Sequence, residues 1–98
     1  MKDTFDWQGE KQMKLIAAIY ENEQWIEKPF TVRRDASRKT KCRKAIEATG
    51  RDFVGFRFQK YGVLTDGIGE LFLYGIDADG NETRVEMIDA ENGNLYYG

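Results

Sequence analysis

Gly69–Gly98 reads GELFLYGIDADGNETRVEMIDAENGNLYYG. Two clusters divide it, Asp77–Asn81 (DADGN) and Asp89–Gly93 (DAENG). Asp and Asn side chains bond their own backbone, and Gly accepts positive φ, so each cluster predicts a chain reversal. The stretch is therefore expected to form three short strands joined by two hairpin turns. Glu70–Ile76 is apolar on both faces, as a central strand requires. Arg84–Asp89 alternates, with Val85 and Met87 inward. Asn94–Tyr97 reads as a short last strand or a tail.

Working back from this sheet, Gly62–Gly69 (GVLTDGIG) is expected to be a mobile loop. Asp52–Tyr61 (DFVGFRFQKY) alternates again. Val54, Phe56 and Phe58 are assigned to the core, and Phe53, Gly55, Arg57 and Gln59 to the opposite face. Gly55 suggests close approach by backbone or a ring. Arg33–Thr49 is the expected helix, capped by Asp35 or Ser37 and ended by Gly50. Cys42, Ala45, Ile46 and Thr49 share its thin apolar face, and Arg38, Lys39, Lys41, Arg43 and Lys44 spread over the rest. Trp25–Val32 contains Pro29, which cannot donate to a ladder and marks an edge strand. Met13–Tyr20 (MKLIAAIY) fits helical spacing at Met13, Ile16, Ala17 and Tyr20. It is short, however, and Glu21–Gln24 after it looks like a hairpin turn, so a strand is predicted. Residues 1–12 are expected to be a loosely ordered arm that pins Trp7 to the body.

Ninety-eight residues make one domain. Thirteen aromatics favour β structure and a ring-filled core. No apolar run approaches the roughly 18 residues of a membrane span, so no membrane partner is expected. The first residues lack a signal-peptide h-region. The chain as it stands reads as cytoplasmic, and as periplasmic or secreted if a signal peptide has been removed. Cys42 is the single cysteine and there is no histidine. Zinc, haem and iron–sulfur sites, and Cys–His or Ser–His catalysis, are thereby disfavoured, and no metal or cofactor is expected. Residues 1–50 hold 11 Lys/Arg and 8 Asp/Glu, whereas residues 51–98 hold 4 and 9. A basic side and an acidic side follow.

Arg33–Lys44 contains seven basic residues and one acid, Asp35. Such a helix suits a phosphate backbone or an acidic protein, although a solvated face is the better reading. The sequence pI near 5.2 argues against a nucleic-acid-binding domain. Asp77, Asp79 and Asn81 match the first three ligands of a calcium loop. Glu82 then replaces the required Gly, and Ile88 stands where the bidentate Glu belongs, so turn chemistry is the better reading. No carboxylate pair stands out for acid–base work, and no catalytic residue is assigned. Trp25, Tyr61, Tyr74, Tyr96 and Tyr97 are candidate protein anchors. Core packing competes for Tyr74, and alternation turns one of Tyr96 and Tyr97 outward. The candidate partner-binding set is Arg34, Arg38, Lys41, Lys44, Trp25, Tyr96 and Tyr97.

Val32–Leu95 runs from an RRDA start through a helix ending KAIEATG and a strand DFVGFRF to the DADG turn and VEMIDAENGNL. This order resembles the PepSY domain, which closes on a strand, a D-x-D/N-G turn, a V-E-h-h-D strand (h apolar) and A-x-[TN]-G-x-[LV]. That bacterial family occurs in propeptides of secreted peptidases and in exported stand-alone proteins, and has no catalytic residues. The resemblance implies binding to, or inhibition of, a peptidase. The fold expected is α+β: an antiparallel sheet of four to five strands with one helix on one face, in the order β-β-α-β-β-β. The function expected is a small non-enzymatic protein-binding module, an inhibitor or regulator of a peptidase or another protein. The alternative is a phage or mobile-element protein that inhibits a nucleic-acid enzyme, or binds nucleic acid, through residues 33–44. Monomer and homodimer are equally open.

Overall fold

Both turns of the Gly69–Gly98 stretch close on their own aspartates. A computed structural model describes residues 11–61 and 70–96, apart from the side chains of residues 60, 61, 70 and 71. Asp77 Oδ1 accepts the backbone N–H groups of Asp79 and Asn81, both at 2.9 Å, and Gly80 takes φ +86°. Asp89 Oδ1 accepts the Glu91 N–H at 2.8 Å, and Gly93 takes φ +75°. Asp77 Oδ1, the first of the candidate calcium ligands, holds the loop backbone instead.

The chain order is β1 (Gln12–Glu21), β2 (Gln24–Arg33), α1 (Arg38–Ala48), β3 (Phe53–Tyr61), β4 (Glu70–Asp77) and β5 (Glu82–Asp89). This is the α+β arrangement expected. The strands form one antiparallel sheet whose spatial order, β2-β1-β5-β4-β3, differs from their order along the chain. β5 joins the two hairpins. Its second half, Glu86–Asp89, pairs with Leu15–Ala18 of β1, and its first half, Glu82–Val85, with Leu73–Ile76 of β4. Beyond β5, Leu95 makes a single bridge to Ile88, and the Tyr96 N–H donates to the Met87 carbonyl at 2.8 Å. The expected last strand is thus reduced to this bridge.

Helix α1 lies on one face of the sheet, and the core forms between them. Met13, Leu15, Ala17 and Ile19 of β1, Val32 of β2, Leu73 of β4, and Val85 and Met87 of β5 meet Cys42, Ala45 and Ile46 of α1. Alternation in β1 sends its odd residues inward, so the helical spacing of Met13–Tyr20 plays no part. The β1–β2 turn takes two residues, Asn22 (φ 53°) and Glu23 (φ 64°), the left-handed pair of a type I′ turn. Such a turn makes Glu21 and Gln24 a hydrogen-bonded pair, and the pairs alternate from there. The Arg34 N–H, 2.7 Å from the Lys11 carbonyl, continues that alternation. Pro29, opposite Ile16, falls at a non-hydrogen-bonded site. Its missing N–H therefore faces the outer edge, where β2 has no partner strand among the described residues.

Three sequence expectations change. The helix starts at Arg38 rather than Arg33, because β2 runs on through Arg33 and Ser37 is the cap. Ser37 Oγ accepts the Thr40 N–H at 3.1 Å, whereas Asp35 is held by Arg33 in two 3.0 Å bonds. Gly50 ends the helix at φ +70°, as expected. In β3, Phe53 pairs with Asp77 and Gly55 with Ile76, leaving Val54 as the extra residue of a bulge. Val54 is therefore 73% exposed rather than in the core, while Phe53, Phe56 and Phe58 pack against it. The close approach expected at Gly55 occurs at Gly75, where a Cβ would stand 2.6 Å from the Phe53 ring. The predicted arm (1–12) falls mostly, and the Gly62–Gly69 loop entirely, outside the described residues. Among the described residues no helix is long and apolar enough to cross a membrane.

Candidate protein-docking face

Among the described residues one helix serves five strands, and it covers one face of the sheet. Register fixes what the other face presents. Tyr20 and Trp25 lie opposite each other at a non-hydrogen-bonded pair beside the β1–β2 turn. Their rings meet edge to face, 5.2 Å between centroids and 61° between planes. Both remain largely exposed, Tyr20 at 58% and Trp25 at 51%. Next along these strands come Glu27, Ala18 and Glu86, side by side on β2, β1 and β5. Ala18 is fully buried between its two longer partners. The following row is apolar: Pro29, Ile16, Ile88 and Leu95. Lys14 opposite Thr31 and Gln12 opposite Arg33 complete that half.

On the β4 side, Arg57 and Tyr74 are cross-strand partners, as are Tyr74 and Arg84. The Arg57 guanidinium sits 4.3 Å from the Tyr74 ring centroid, and that of Arg84 the same distance from Phe72. Glu82 takes a bidentate grip on Arg57, one contact being 2.8 Å, which holds its carboxyl below the usual carboxylate range. These contacts fix the arginines over the rings.

The sequence-predicted site residues do not form one cluster. Trp25 belongs to the open face. Arg34 is exposed at the other end of β2, with Glu91 3.5 Å away. Arg38 is half-buried in the first turn of α1, and Lys44 is exposed. Lys41, expected on the solvent side of the helix, is buried at 8% exposure. Its Nζ donates to the Arg34 carbonyl and to Tyr96 Oη, both at 2.9 Å. Tyr96 is correspondingly half-buried and packs against the core. Tyr97 and the Tyr61 side chain lie outside the described residues. Tyr20, Ile16, Ile88 and Leu95 were missed. The signal for Tyr20 was present: a two-residue turn after Glu21 places it opposite Trp25.

The helix face has its own electrostatic character. No acid stands in the first turn of α1 and no base in the last; Arg38, Lys39 and Lys41 in the first turn and Glu47 in the last oppose the helix dipole. The far end of the molecule is acidic. There Glu21, Asp52, Asp77 and Thr83 rim an open depression of about 300 Å³ with Ile19 and Phe53 in its wall. Arg51 enters it and hydrogen-bonds Glu21, which lowers the Glu21 pKa. A carboxylate so held is a weak base. Among the described residues no three His, Cys, Asp or Glu side chains gather as metal ligands. No family model, no curated protein and no solved structure matches the chain.

Proposed function

We propose that the chain is a small non-enzymatic protein-binding module that docks through the helix-free face of its sheet. The observation that carries this reading is the exposed Tyr20–Trp25 pair at the end of a partly apolar face that no described helix covers. Large rings with few rotatable bonds are the usual anchors of protein interfaces. The face suits protein better than nucleic acid for two reasons. The Phe72 and Tyr74 rings already carry guanidinium groups, and Glu27, Glu82 and Glu86 would repel phosphate. The PepSY-like order of Val32–Leu95 names a peptidase as the first partner class to try, with inhibition or regulation as the outcome. The test is calorimetric titration and substrate-cleavage assay against a panel of bacterial secreted peptidases. A peptidase that binds should lose at least about tenfold in affinity for a Tyr20→Ala, Trp25→Ala double variant. Undiminished binding would remove this face from the reading.

A second reading rests on the basic residues of α1, of which Arg38 and Lys39 in its first turn stand against the dipole at a cost of about 0.3–1 kcal/mol each. It assigns the helix to an acidic groove, that of a nucleic-acid enzyme, or to nucleic acid itself. Reversing Lys39, Arg43 and Lys44, all exposed, to Glu should abolish such binding. Lys41 is unsuitable for that test because it is buried.

A further inference from the structure

We infer that the occupant of the helix-free face is a second copy of this chain, docked about a two-fold axis that runs along the row Pro29, Ile16, Ile88 and Leu95. The inference rests on the reading of this face as a docking surface and names its partner.

The rows of the face are nearly self-complementary about that line. Strands of the two copies run antiparallel across the axis, so each row meets the row equally far on the other side. The apolar row meets itself. Lys14, one row below, comes over Ala18, one row above, and so reaches between Glu27 and Glu86 of the other copy. Arg33 and Gln12, two rows below, come over Trp25 and Tyr20. Arg33 is held edge-on by Asp35 through Nε and Nη2, which leaves the flat of its guanidinium to stack on Trp25. Two-fold symmetry makes each of these contacts twice. Face-to-face sheets pack about 10 Å apart, a gap that Lys, Glu and Trp side chains span.

The symmetric part of the face is β2, β1 and the second half of β5, since β4 and β3 lie on one side of the axis. Three strands about 4.8 Å apart and about nine residues long give roughly 14 by 30 Å, or about 400 Å² per copy. That is the size of a weak, reversible interface rather than of an obligate one.

Lys14 and Glu27 stand about 13 Å apart along the sheet within one chain, too far to pair, so their coupling can arise only between copies. Sedimentation equilibrium from about 1 to 500 µM should show a monomer–dimer equilibrium. Lys14→Glu and Glu27→Lys should each weaken dimerisation at least about tenfold. The double variant, and an equimolar mixture of the two single variants, should restore it. Far-UV circular dichroism checks that these exposed substitutions leave the fold intact. A wild-type chain monomeric at about 500 µM, or single variants that dimerise like wild type, would overturn the inference. If that happens while Tyr20→Ala, Trp25→Ala still abolishes binding to a different protein, the docking face stands without the second copy. Binding of a short single-stranded oligonucleotide that Trp25→Ala abolishes would overturn both.

Discussion

Lys41 shows how a residue type can mislead at this scale. Its charge suggested solvent, but its position one residue before Cys42 places it at the border of the buried helix face. From there its stem packs inward and its ammonium bonds the Arg34 carbonyl and Tyr96 Oη, tying the loop before the helix and the C-terminal tail to α1. Lys41→Met keeps the stem and strands both acceptors. It should cost about 1–3 kcal/mol, with Tyr96→Phe costing about 1 kcal/mol. The double variant should cost less than the sum, because both remove the same bond. Urea midpoints for the four proteins check this. Cys42 beside it is fully buried, and burial pushes its thiol up to about 11. The unfolded thiol ionises near pH 8.5, well before the folded one. Its contribution to stability is therefore complete below about pH 8.5 and is lost as the pH climbs toward about 11. The native protein should resist thiol-modifying reagents at pH 8, and Cys42→Ala should flatten the alkaline fall in urea midpoint relative to wild type.

At the scale of elements, β5 was legible from its unbroken alternation, whereas β1 was recognised by its shortness and the turn after it rather than by its period. The inward residues of both form the middle of the core. β3 breaks the period at one point, and a period count has no means of seeing an inserted residue. The bulge at Val54 turns Phe53 inward and Val54 outward. What the bulge accomplishes is visible only in the partner strand: the Phe53 ring covers Gly75, a position a side chain would contest. Gly75→Ala should destabilise the protein by about 1–3 kcal/mol, since the ring is a rigid body and must shift as a whole. Phe53→Leu should cost less in the Gly75→Ala background than in wild type. Val54→Ala should change stability by no more than about 0.5 kcal/mol. Had Val54 been core, as alternation alone implies, truncating it would cost well beyond that, and thermal denaturation separates the two outcomes. The helix start was blurred for a related reason. Arg33–Ser37 carries two plausible caps, and only the three-dimensional partner of Asp35 decides between them.

For the molecule as a whole, the sequence exposed the sheet and the helix that packs on it but not the face that results. A face is made by residues distant in sequence brought level by register, and no local pattern reports that Pro29, Ile16, Ile88 and Leu95 stand in a row. Pro29 itself illustrates two scales at once. Its ring belongs to that row, whereas its backbone guards an edge. β2 is ten residues long and, among the described residues, has no strand on its outer side, an arrangement that invites strand addition by another chain. The outward N–H groups of β2 belong to Trp25, Glu27, Thr31 and Arg33, and Pro29 interrupts them at the centre. Pro29→Val would complete the row of donors while keeping an apolar side chain on the face. It should leave the urea midpoint within about 1 kcal/mol of wild type, because no bond to β1 is involved. It should nevertheless raise light scattering on incubation at high concentration, as edges pair without closing. Pro29→Lys, which restores the same N–H but adds a charge, should stay clear. If both variants remain as soluble as wild type, the proline is not what protects this edge. If both aggregate, the missing donor alone, and not the side chain, sets the protection.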